Sequence, residues 1–218
     1  PSKKRFKDDG KYGRALEEAL GVEENNSKKA DLVLADGSQW ELKTSNGKSN
    51  QTLYNKKADS LAPSLGIHCH RDLIERYPAT NKLDPNNPSR KCLNTDLKTT
   101  GFNKQGWKLA VTSTAILAQH QIDGDVMMWD LEKMRETAVG KLDKKVDVVV
   151  DKDGVVQSYK IEEGFNFDQF IAMLKSGKIN LSMKLRIDPL KDIPFKDRGM
   201  GWRCPPKHLH ELYQREVA

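Results

Sequence analysis

The sequence predicts an α/β fold. The clearest strand spans residues 179–188, where five apolar side chains alternate with polar and charged ones. Two strand pairs turn at an Asp-Gly dipeptide, at Asp36-Gly37 and at Asp153-Gly154, and this dipeptide favours tight hairpin turns. Short helical patterns lie between the strands. Because no repeat, low-complexity tract or clear linker divides the chain, we expect a single unit over residues 1–218.

The N-terminal part predicts a helix followed by a hairpin. Residues 12–20 place two leucines one helical turn apart, and Gly21 ends the predicted helix. Asp31 begins an apolar strand that turns at Asp36-Gly37, so the returning strand should run antiparallel beside it. Residues 46–50, which are rich in Gly, Ser and Asn, predict the loop that follows.

Further strands and helices alternate along the rest of the chain. Residues 78–91 are dense in proline and asparagine, so we expect an irregular excursion there. Asn166 should cap a helix that runs to Lys175 and is stopped by Gly177. The remaining predicted elements are strands at residues 107–116, 126–129, 145–150 and 155–161, and helices at residues 131–137 and 209–216.

Composition and charge favour a polar cytoplasmic protein that binds a polyanion. No apolar run approaches the ~18–20 residues that a membrane-spanning helix needs. The three cysteines form no paired framework, which agrees with a reducing compartment. The formal net charge is +6, and the basic residues are clustered in separate stretches. Such stretches are most often solvated faces, but together with a nuclease-type site they favour a polyanionic partner.

Asp31, Glu41 and Lys43 are the strongest candidates for a reaction centre. Glu41 and Lys43 are two residues apart, so on a strand their side chains leave the same face. The predicted hairpin brings Asp31 close to both. Two carboxylates can hold a hard divalent cation that activates water, and a lysine can orient the nucleophile or stabilise the scissile phosphate. The triplet therefore predicts Mg²⁺-dependent phosphodiester cleavage, although a solvated hairpin would show the same spacing.

The order of motifs resembles that of the MvaI/BcnI family of type II restriction endonucleases, and of the related mismatch-repair nicking enzyme MutH. The N-terminal motifs are Gly-Arg-Ala-Leu-Glu-Glu-Ala-Leu-Gly at residues 13–21, Glu24-Asn25-Asn26, Ala30-Asp31-Leu32 and Glu41-Leu42-Lys43-Thr44. The C-terminal motifs, which fit more loosely, are Leu185-Arg186-Ile187, Asp-Arg-Gly-Met-Gly-Trp-Arg at residues 197–203, and Leu209-His210-Glu211-Leu212-Tyr213.

The resemblance implies a restriction-endonuclease-like PD-(D/E)XK fold, with a central mixed β-sheet flanked by helices and a DNA-reading lobe that forms a cleft. The catalytic core would lie approximately at residues 10–60 and 105–165, and the DNA-recognition portion at 166–218. By the same resemblance, Asp31, Glu41 and Leu42 hold the metal and Lys43 is the catalytic lysine. Glu17 matches a helix glutamate that joins or supports this site, with Glu18 as an equally placed rival.

Specificity for DNA is expected mainly in the C-terminal third. The strand at 179–188 buries one face and leaves Lys184 and Arg186 on the other, and the Asp197-Arg198-Gly199 segment predicts a turn that presents a guanidinium to guanine in the major groove. The alternative is that these bases contact phosphate, which positions the protein without reading sequence. The predicted DNA contacts are Lys48, His70, Arg71, Lys184, Arg186, Arg198, Trp202 and Arg203.

Other kinds of site have weaker support. His68-Cys69-His70 with Cys92 or Cys204 would supply zinc ligands, but the spacings typical of structural zinc sites are absent from the sequence. A contact to phosphate or bases, or a plain solvent-facing histidine, is the preferred interpretation of that segment. No nucleophile-elbow motif and no phosphate-cradling glycine motif occurs, so we expect no nucleotide cofactor.

The function predicted from sequence is that of a type II restriction endonuclease. It would hydrolyse double-stranded DNA at a specific sequence with Mg²⁺, for which Mn²⁺ substitutes and Ca²⁺ does not, and would leave 5′-phosphate ends. The alternatives are a MutH-like strand-nicking repair enzyme and a catalytically silent DNA-binding protein of the same fold. The expected partner is double-stranded DNA, no membrane contact is expected, and both a monomer and a dimer remain open.

Overall fold

The structure is a computed structural model that describes residues 31–33, 36–78, 87, 89–151, 153, 155–191 and 194–217. At residues 32, 196–199 and 215–217 the description covers the backbone alone. The strands in chain order are β1 (Leu32–Val33), β2 (Gln39–Ser45), β3 (Gln51–Asn55), β4 (Ser60–Leu61), β5 (Lys91–Leu97), β6 (Trp107–Val111), β7 (Ala115–His120), β8 (Gly124–Asp130), β9 (Lys144–Val150), β10 (Val156–Phe165), β11 (Asn180–Ile187), β12 (Phe195–Cys204) and β13 (Tyr213–Val217). The α-helices are α1 (His70–Arg76), α2 (Leu131–Leu142) and α3 (Phe167–Lys175), and 3₁₀ helices span Pro63–Leu65 and Pro206–Leu212. The fold is therefore a mixed α/β fold, as predicted.

One compact unit contains a five-stranded sheet. It comprises the described residues up to Gln51, together with Arg135–Phe170 and the chain from Pro205 onward. The strand order is β1-β2-β9-β10-β13, in which β2 and β9 run parallel and the other neighbours run antiparallel. Leu42, Val148 and Val150 form a buried apolar cluster on this sheet, against which Val146 packs. The parallel pair joins two segments that are about a hundred residues apart in sequence.

The other compact unit contains two four-stranded sheets. It comprises Thr52–Met134 and Ile171–Cys204. Their strand orders are β3-β12-β11-β5 and β4-β8-β7-β6. Its core is centred on large apolar side chains with no solvent exposure, among them Trp129 and Trp202, whose rings meet edge to face with centroids 5.5 Å apart. Burial of such large side chains is the main contribution to the stability of this unit.

Most of the predicted elements that fall in the described residues are confirmed. The first hairpin pairs Leu32 with Trp40, and the N–H of Ser38 donates to Asp36 Oδ1 at 2.8 Å, which closes its turn. The second pairs β9 with β10. Asn166 caps α3, because its Oδ1 accepts the N–H of Gln169 at 3.0 Å, and Gly177 follows with a φ of 75°. The helix predicted at residues 12–20 lies outside the described residues, as does most of the excursion at 78–91.

The strand predicted at residues 107–116 is wrong in its length. The chain forms two strands there, β6 and β7, which pair antiparallel with each other. The turn between them depends on Thr112, whose hydroxyl accepts the N–H groups of Thr114 and Ala115 at 3.3 and 2.9 Å. Threonine has a high strand propensity, so the sequence predicts a continuous strand here. The turn forms because the side-chain oxygen of Thr112 accepts hydrogen bonds from the backbone.

The helix predicted at residues 209–216 is also wrong. Pro205 and Pro206 start a 3₁₀ helix that ends at Leu212, and Tyr213–Val217 then forms the edge strand β13. This strand pairs antiparallel with β10, with Tyr213 opposite Phe165. Ladder hydrogen bonds to a long neighbouring strand override the local helical pattern.

In the described part of the chain, no helix is long and apolar enough to cross a bilayer.

Candidate active site

The first hairpin brings Asp31 against the middle of β2. The backbone N–H of Leu42 donates to Asp31 Oδ2 at 2.9 Å. The side chain of Leu42 points the other way and is buried with Val148 and Val150. Leu42 therefore anchors the strand in the core and holds Asp31 through its main chain. Since its side chain is apolar and buried, only its main-chain carbonyl could serve as the metal contact predicted for this residue.

Glu41 lies next to Leu42 and is almost fully buried, at 1% exposure. Its Oε1 forms ion pairs with Lys43 and with Lys141, the latter at 3.5 Å. Among the residues that the structure describes, its Oε2 has no hydrogen-bond partner. A buried carboxylate oxygen without a partner is energetically unfavourable, and such an oxygen could coordinate a cation or accept a hydrogen bond from a ligand.

Lys43 occupies the place that its spacing from Glu41 predicts. Both side chains leave the same face of β2, and the ammonium of Lys43 donates to Glu41 Oε1. The Lys43 side chain keeps 24% exposure, so solvent or a ligand can reach the ammonium although its partner is buried. Asp31, Glu41 and Lys43 are thus brought together as the sequence predicted, while their catalytic roles remain predictions.

Lys141 is a residue of this site that the sequence analysis missed. It lies in the last turn of α2, just before β9 begins at Lys144. Because β9 runs parallel to β2 with Lys145 opposite Glu41, the end of α2 lies beside the start of β2, where Glu41 is. Lys141 and Glu41 come together because β2 pairs with β9. No sequence pattern near either residue predicts that pairing.

A buried ionic cluster continues the site across the same sheet face. Lys145 has no exposed surface, and its Nζ lies 2.6 Å from Asp147 Oδ2 and 2.8 Å from Glu162 Oε2. Gln51 donates its Nε2–H to Asp147 Oδ1 at 2.6 Å, and its Oε1 lies 3.5 Å from Lys145 Nζ. The ring of Tyr213 lies 4.6 Å from the same ammonium. Burial raises the pKa of Glu162, despite the opposing charge of Lys145.

The registers place these groups in an alternating pattern of charge. Residues opposite each other on neighbouring strands share a face of the sheet. One row across β2, β9 and β10 is negative, positive and negative, and the next row is positive, negative and positive. The two rows are Glu41–Lys145–Glu162 and Lys43–Asp147–Lys160. The candidate site is therefore the β2 edge of a patch in which every charge has an opposite charge beside it.

The predicted DNA contacts near α1 and in the loop after β2 are accessible. Lys48 is exposed in the loop between β2 and β3, Arg71 is exposed in α1, and His70 is half-buried at the start of that helix. Asp72 accepts the N–H groups of His68 and Cys69 at 2.8 Å each, and these bonds hold its pKa below the usual range. His68-Cys69-His70 is therefore a helix start, and within the described residues no cluster of three or more His, Cys, Asp or Glu could hold a metal ion.

The predicted contacts on β11 and β12 differ in their accessibility. Lys184 is exposed, and Arg186 and Arg203 are half-buried. Trp202 is a correction: its side chain has no exposed surface and packs edge to face on another indole in the core, so it cannot present its ring to a base. A tryptophan in a strand is as readily a core residue as a DNA contact, and the large indole of Trp202 is buried in the core.

Arg198 lies on strand β12 and not in the turn that the sequence predicts. Met183 pairs with Met200, but Leu185 pairs with Asp197, so the register shifts by one residue between them. Arg198 and Gly199 therefore form a β-bulge opposite Lys184. In the backbone register, an arginine position therefore lies opposite a lysine position at this point of the sheet.

Comparison with known proteins supports the resemblance found in the sequence. The model of the MvaI/BcnI restriction endonuclease family matches residues 1–213. A solved structure described as the restriction endonuclease MvaI in complex with cognate DNA substrate is 16% identical, covers 98% of this chain and 90% of its own, and superimposes with a TM-score of 0.76.

A second solved structure, of MvaI in the absence of DNA, is 13% identical, covers 94% of this chain and 84% of its own, and gives a TM-score of 0.56. A comparison with curated protein sequences found no significant match. At these identities the two structures show the fold alone, whereas the family model covers nearly the whole sequence. The chain belongs to the MvaI/BcnI restriction endonuclease family.

Proposed function

We propose that this protein is a Mg²⁺-dependent type II restriction endonuclease that hydrolyses double-stranded DNA at a specific sequence. The observation that carries the proposal is the environment of Glu41. It is a buried carboxylate with one oxygen unpartnered among the described residues, beside Asp31 and under two partly exposed lysines. Membership of a restriction endonuclease family and the net charge of +6 agree with a DNA substrate.

The residues present fit a hard divalent cation. Asp31 and Glu41 offer carboxylate oxygens, which Mg²⁺ prefers, and the main-chain carbonyl of Leu42 is an oxygen of the same type. Two protein carboxylates are few, but Mg²⁺ usually keeps several waters and binds phosphate oxygens of its substrate. Glu17, the further acid that the family resemblance implies, lies outside the described residues. When bound, the cation would lower the pKa of a coordinated water and neutralise developing negative charge on the phosphate.

The chain's own groups would orient the reaction. The oxygen of a water molecule would form a bond to phosphorus while that water gives up a proton to solvent, and the bond from phosphorus to the 3′ oxygen would break. The products are a 5′-phosphate and a 3′ oxygen that takes a proton from solvent. Lys43, held by Glu41 with its ammonium still accessible, would hydrogen-bond the attacking water or a phosphate oxygen. Holding these groups on a strand anchored by Leu42 reduces the motion that would misalign them.

The metal requirement is the direct test of this proposal. Supercoiled plasmid DNA should be cut with Mg²⁺ or Mn²⁺, should be bound but hardly cut with Ca²⁺, and should stay intact with excess chelator. Agarose gels report the product, and sequencing of the ends gives the site and the end chemistry. A nicked circle that never becomes linear would favour a strand-nicking enzyme, and intact plasmid with every metal would favour a DNA-binding protein without activity. Undiminished cutting in chelator would refute the metal mechanism.

A second prediction concerns sequence specificity at the bulge of β12. Arg198→Ala should weaken binding to the cognate site by about 1–3 kcal/mol and change binding to random DNA little, because a guanidinium can pair with both acceptors of guanine. Lys184→Ala, directly across the bulge, should weaken both DNAs alike and lower the salt slope by about one, as expected for a phosphate contact. Fluorescence anisotropy in Ca²⁺ measures both. Equal losses on both DNAs for Arg198→Ala would reassign that residue to the backbone.

A further inference from the structure

We propose that the loop between β5 and β6, together with the turn after α3, is a second DNA-binding surface that contacts duplex phosphates outside the recognition sequence. The inference rests on the proposed function, because duplex DNA is the partner. It concerns residues apart from the DNA contacts predicted from the sequence. Residues 98–108 and 171–180 contain five lysines and no acid, and together they form a lysine patch of Lys98, Lys104, Lys108, Lys175 and Lys178.

The lysine patch holds most of the excess positive charge of this chain. The formal net charge is +6, and the two segments contribute five positive charges, so the rest of the sequence is almost neutral. Lys98, Lys104 and Lys175 are exposed, whereas Lys108 and Lys178 are half-buried. A local concentration of charge attracts a polyanion, and duplex DNA carries one negative charge per ~1.7 Å of its axis. Charge complementarity therefore favours DNA as the partner of this surface.

Specific contacts hold the two lysine-bearing segments together. The hydroxyl of Thr99 donates to the main-chain carbonyls of Leu174 and Lys175, at 2.7 and 3.0 Å. The turn then approaches the loop so closely that a Cβ at Gly177 would lie 2.6 Å from Thr100 Cγ2. Lysines from distant parts of the sequence therefore share one surface.

The loop itself is fixed by the side chain of Asn103. Its Nδ2 donates to the main-chain carbonyl of Asp96 at 2.8 Å, and its Oδ1 accepts the N–H of Trp107 at 3.1 Å. Phe102 keeps 47% exposure, and Lys108 Nζ lies 4.7 Å from the centre of its ring. This cation–π contact holds the ammonium of Lys108 at the surface. A loop ordered in advance loses little conformational entropy when it binds phosphate.

The lysine patch lies beyond the end of the exposed face that carries Lys184. Asn94 of β5 pairs with Lys184 of β11, and both are exposed. Because side chains alternate, Asp96 and Lys98 continue the same face, and Lys98 lies about 13 Å along the strand from Asn94 at ~3.3 Å per residue. That distance equals about four base pairs of duplex. A duplex that contacts Lys184 would therefore reach the lysine patch with base pairs several steps further along its axis.

The test measures how much flanking DNA contributes to affinity. Two duplexes carry the recognition sequence with about two or about twelve base pairs on each side, so that only the longer one extends well past the ~13 Å between Asn94 and Lys98. The triple variant Lys98→Gln/Lys104→Gln/Lys175→Gln should bind the longer duplex roughly 10–100-fold more weakly, with a salt slope lower by about 2–3. Its affinity for the shorter duplex should change less than about threefold, because charges beyond a Debye length of ~10 Å are screened at about 0.1 M salt. Fluorescence anisotropy in Ca²⁺ measures both affinities.

Two controls separate the lysine patch from net charge and from sequence reading. Lys57→Gln/Lys133→Gln/Lys207→Gln removes the same charge from exposed lysines elsewhere and should keep the preference for the longer duplex. Asp96→Asn, which removes an exposed acid between Asn94 and Lys98, should strengthen binding to the longer duplex. A random duplex of the longer length should lose affinity for the patch variant by the same factor as the cognate one, because phosphate contacts carry no sequence information. Thermal unfolding checks that each variant is folded.

The outcomes separate the inference from the proposed function. If the wild type binds the longer duplex but cuts no DNA with any metal, the endonuclease proposal fails, and the binding data alone then decide on the lysine patch. If the wild type cuts DNA and the patch variant binds the longer duplex as tightly as the charge-matched control, the inference fails by itself. It also fails if the patch variant loses binding to vesicles rich in phosphatidylserine and keeps its binding to the longer duplex, because the surface then serves a membrane. A wild type that binds neither duplex overturns both.

Discussion

Replacing Glu41 with alanine should lower the single-turnover rate of DNA cleavage by on the order of 10⁴-fold or more, without loss of the folded structure. Glu41 has a buried oxygen, Oε2, that lacks a hydrogen-bond partner among the described residues, and the two lysines converge on its other oxygen. Alanine removes the proposed metal ligand and the charge that holds both ammonium groups. Asp31→Ala should act in the same direction, with the additional loss of the acceptor for the Leu42 N–H.

Stability should respond to Glu41→Ala in the opposite sense to activity. Burying a carboxylate with one unpartnered oxygen is costly, so its removal relieves that cost. Lys43 and Lys141 lose a partner, but each keeps about a quarter of its side chain exposed and can be hydrated. The melting temperature should therefore be unchanged or higher, as expected where a residue needed for function lowers the stability of the fold.

A matched control for Glu41 is Glu163→Ala. Glu163 is a partly exposed acid of the same sheet, and its Oε1 lies 3.9 Å from Lys144 Nζ. It should cleave and melt like the wild type, since a loose surface ion pair contributes little. Plasmid cleavage by Glu41→Ala at a rate near that of Glu163→Ala would show that the proposed reaction centre is misplaced.

The part of the site that sequence alone could predict is the part held by local geometry. Glu41 and Lys43 share a face because strands have a period of two, and Asp31 reaches them because Asp36-Gly37 closes a short hairpin. These relations involve fewer than fifteen residues of chain. Lys141 depends instead on the parallel pairing of β2 with β9, which joins distant segments and leaves no periodic signal near either one.

The same distinction explains which elements of the fold were predicted. The strand at β11 and the capped helix α3 follow from alternation and from Asn166, which are local. Tyr213–Val217 becomes a strand because β10 offers a free edge for pairing, and the buried position of Trp202 depends on contact with Trp129. Both are tertiary effects. Two polar residues on β11 show the same limit of local patterns. Asn180 and Ser182 occupy the positions that alternation predicts to face solvent, yet both are buried.

Lys145→Met should destabilise the protein by about 3–5 kcal/mol, the usual consequence of removing one partner from a buried ion cluster. The ammonium of Lys145 is the only positive charge within 3 Å of both Asp147 and Glu162 among the described groups, and all three are almost fully buried. Methionine has a similar length and fills the space, so the loss comes from two carboxylates left without a counter-ion rather than from a cavity. Urea unfolding of the wild type and Lys145→Met gives the difference in free energy.

The pH dependence identifies the cause of that loss. Burial already raises the pKa of Glu162 in the folded protein above its ordinary value of 4.5. Because the pKa of Glu162 is higher in the folded than in the unfolded protein, its contribution to stability is fully present below the unfolded-state pKa. That contribution is lost as the pH rises through the folded-state pKa. Without the ammonium the pKa of Glu162 should rise further, so the destabilisation should be larger at pH 8 than at pH 5. Adding Glu162→Gln to Lys145→Met removes one unpaired charge and should recover part of the stability at pH 8 but little at pH 5. An equal deficit at both pH values, with no recovery in the double variant, would mean that packing around Lys145, and not its charge, holds this part of the sheet together.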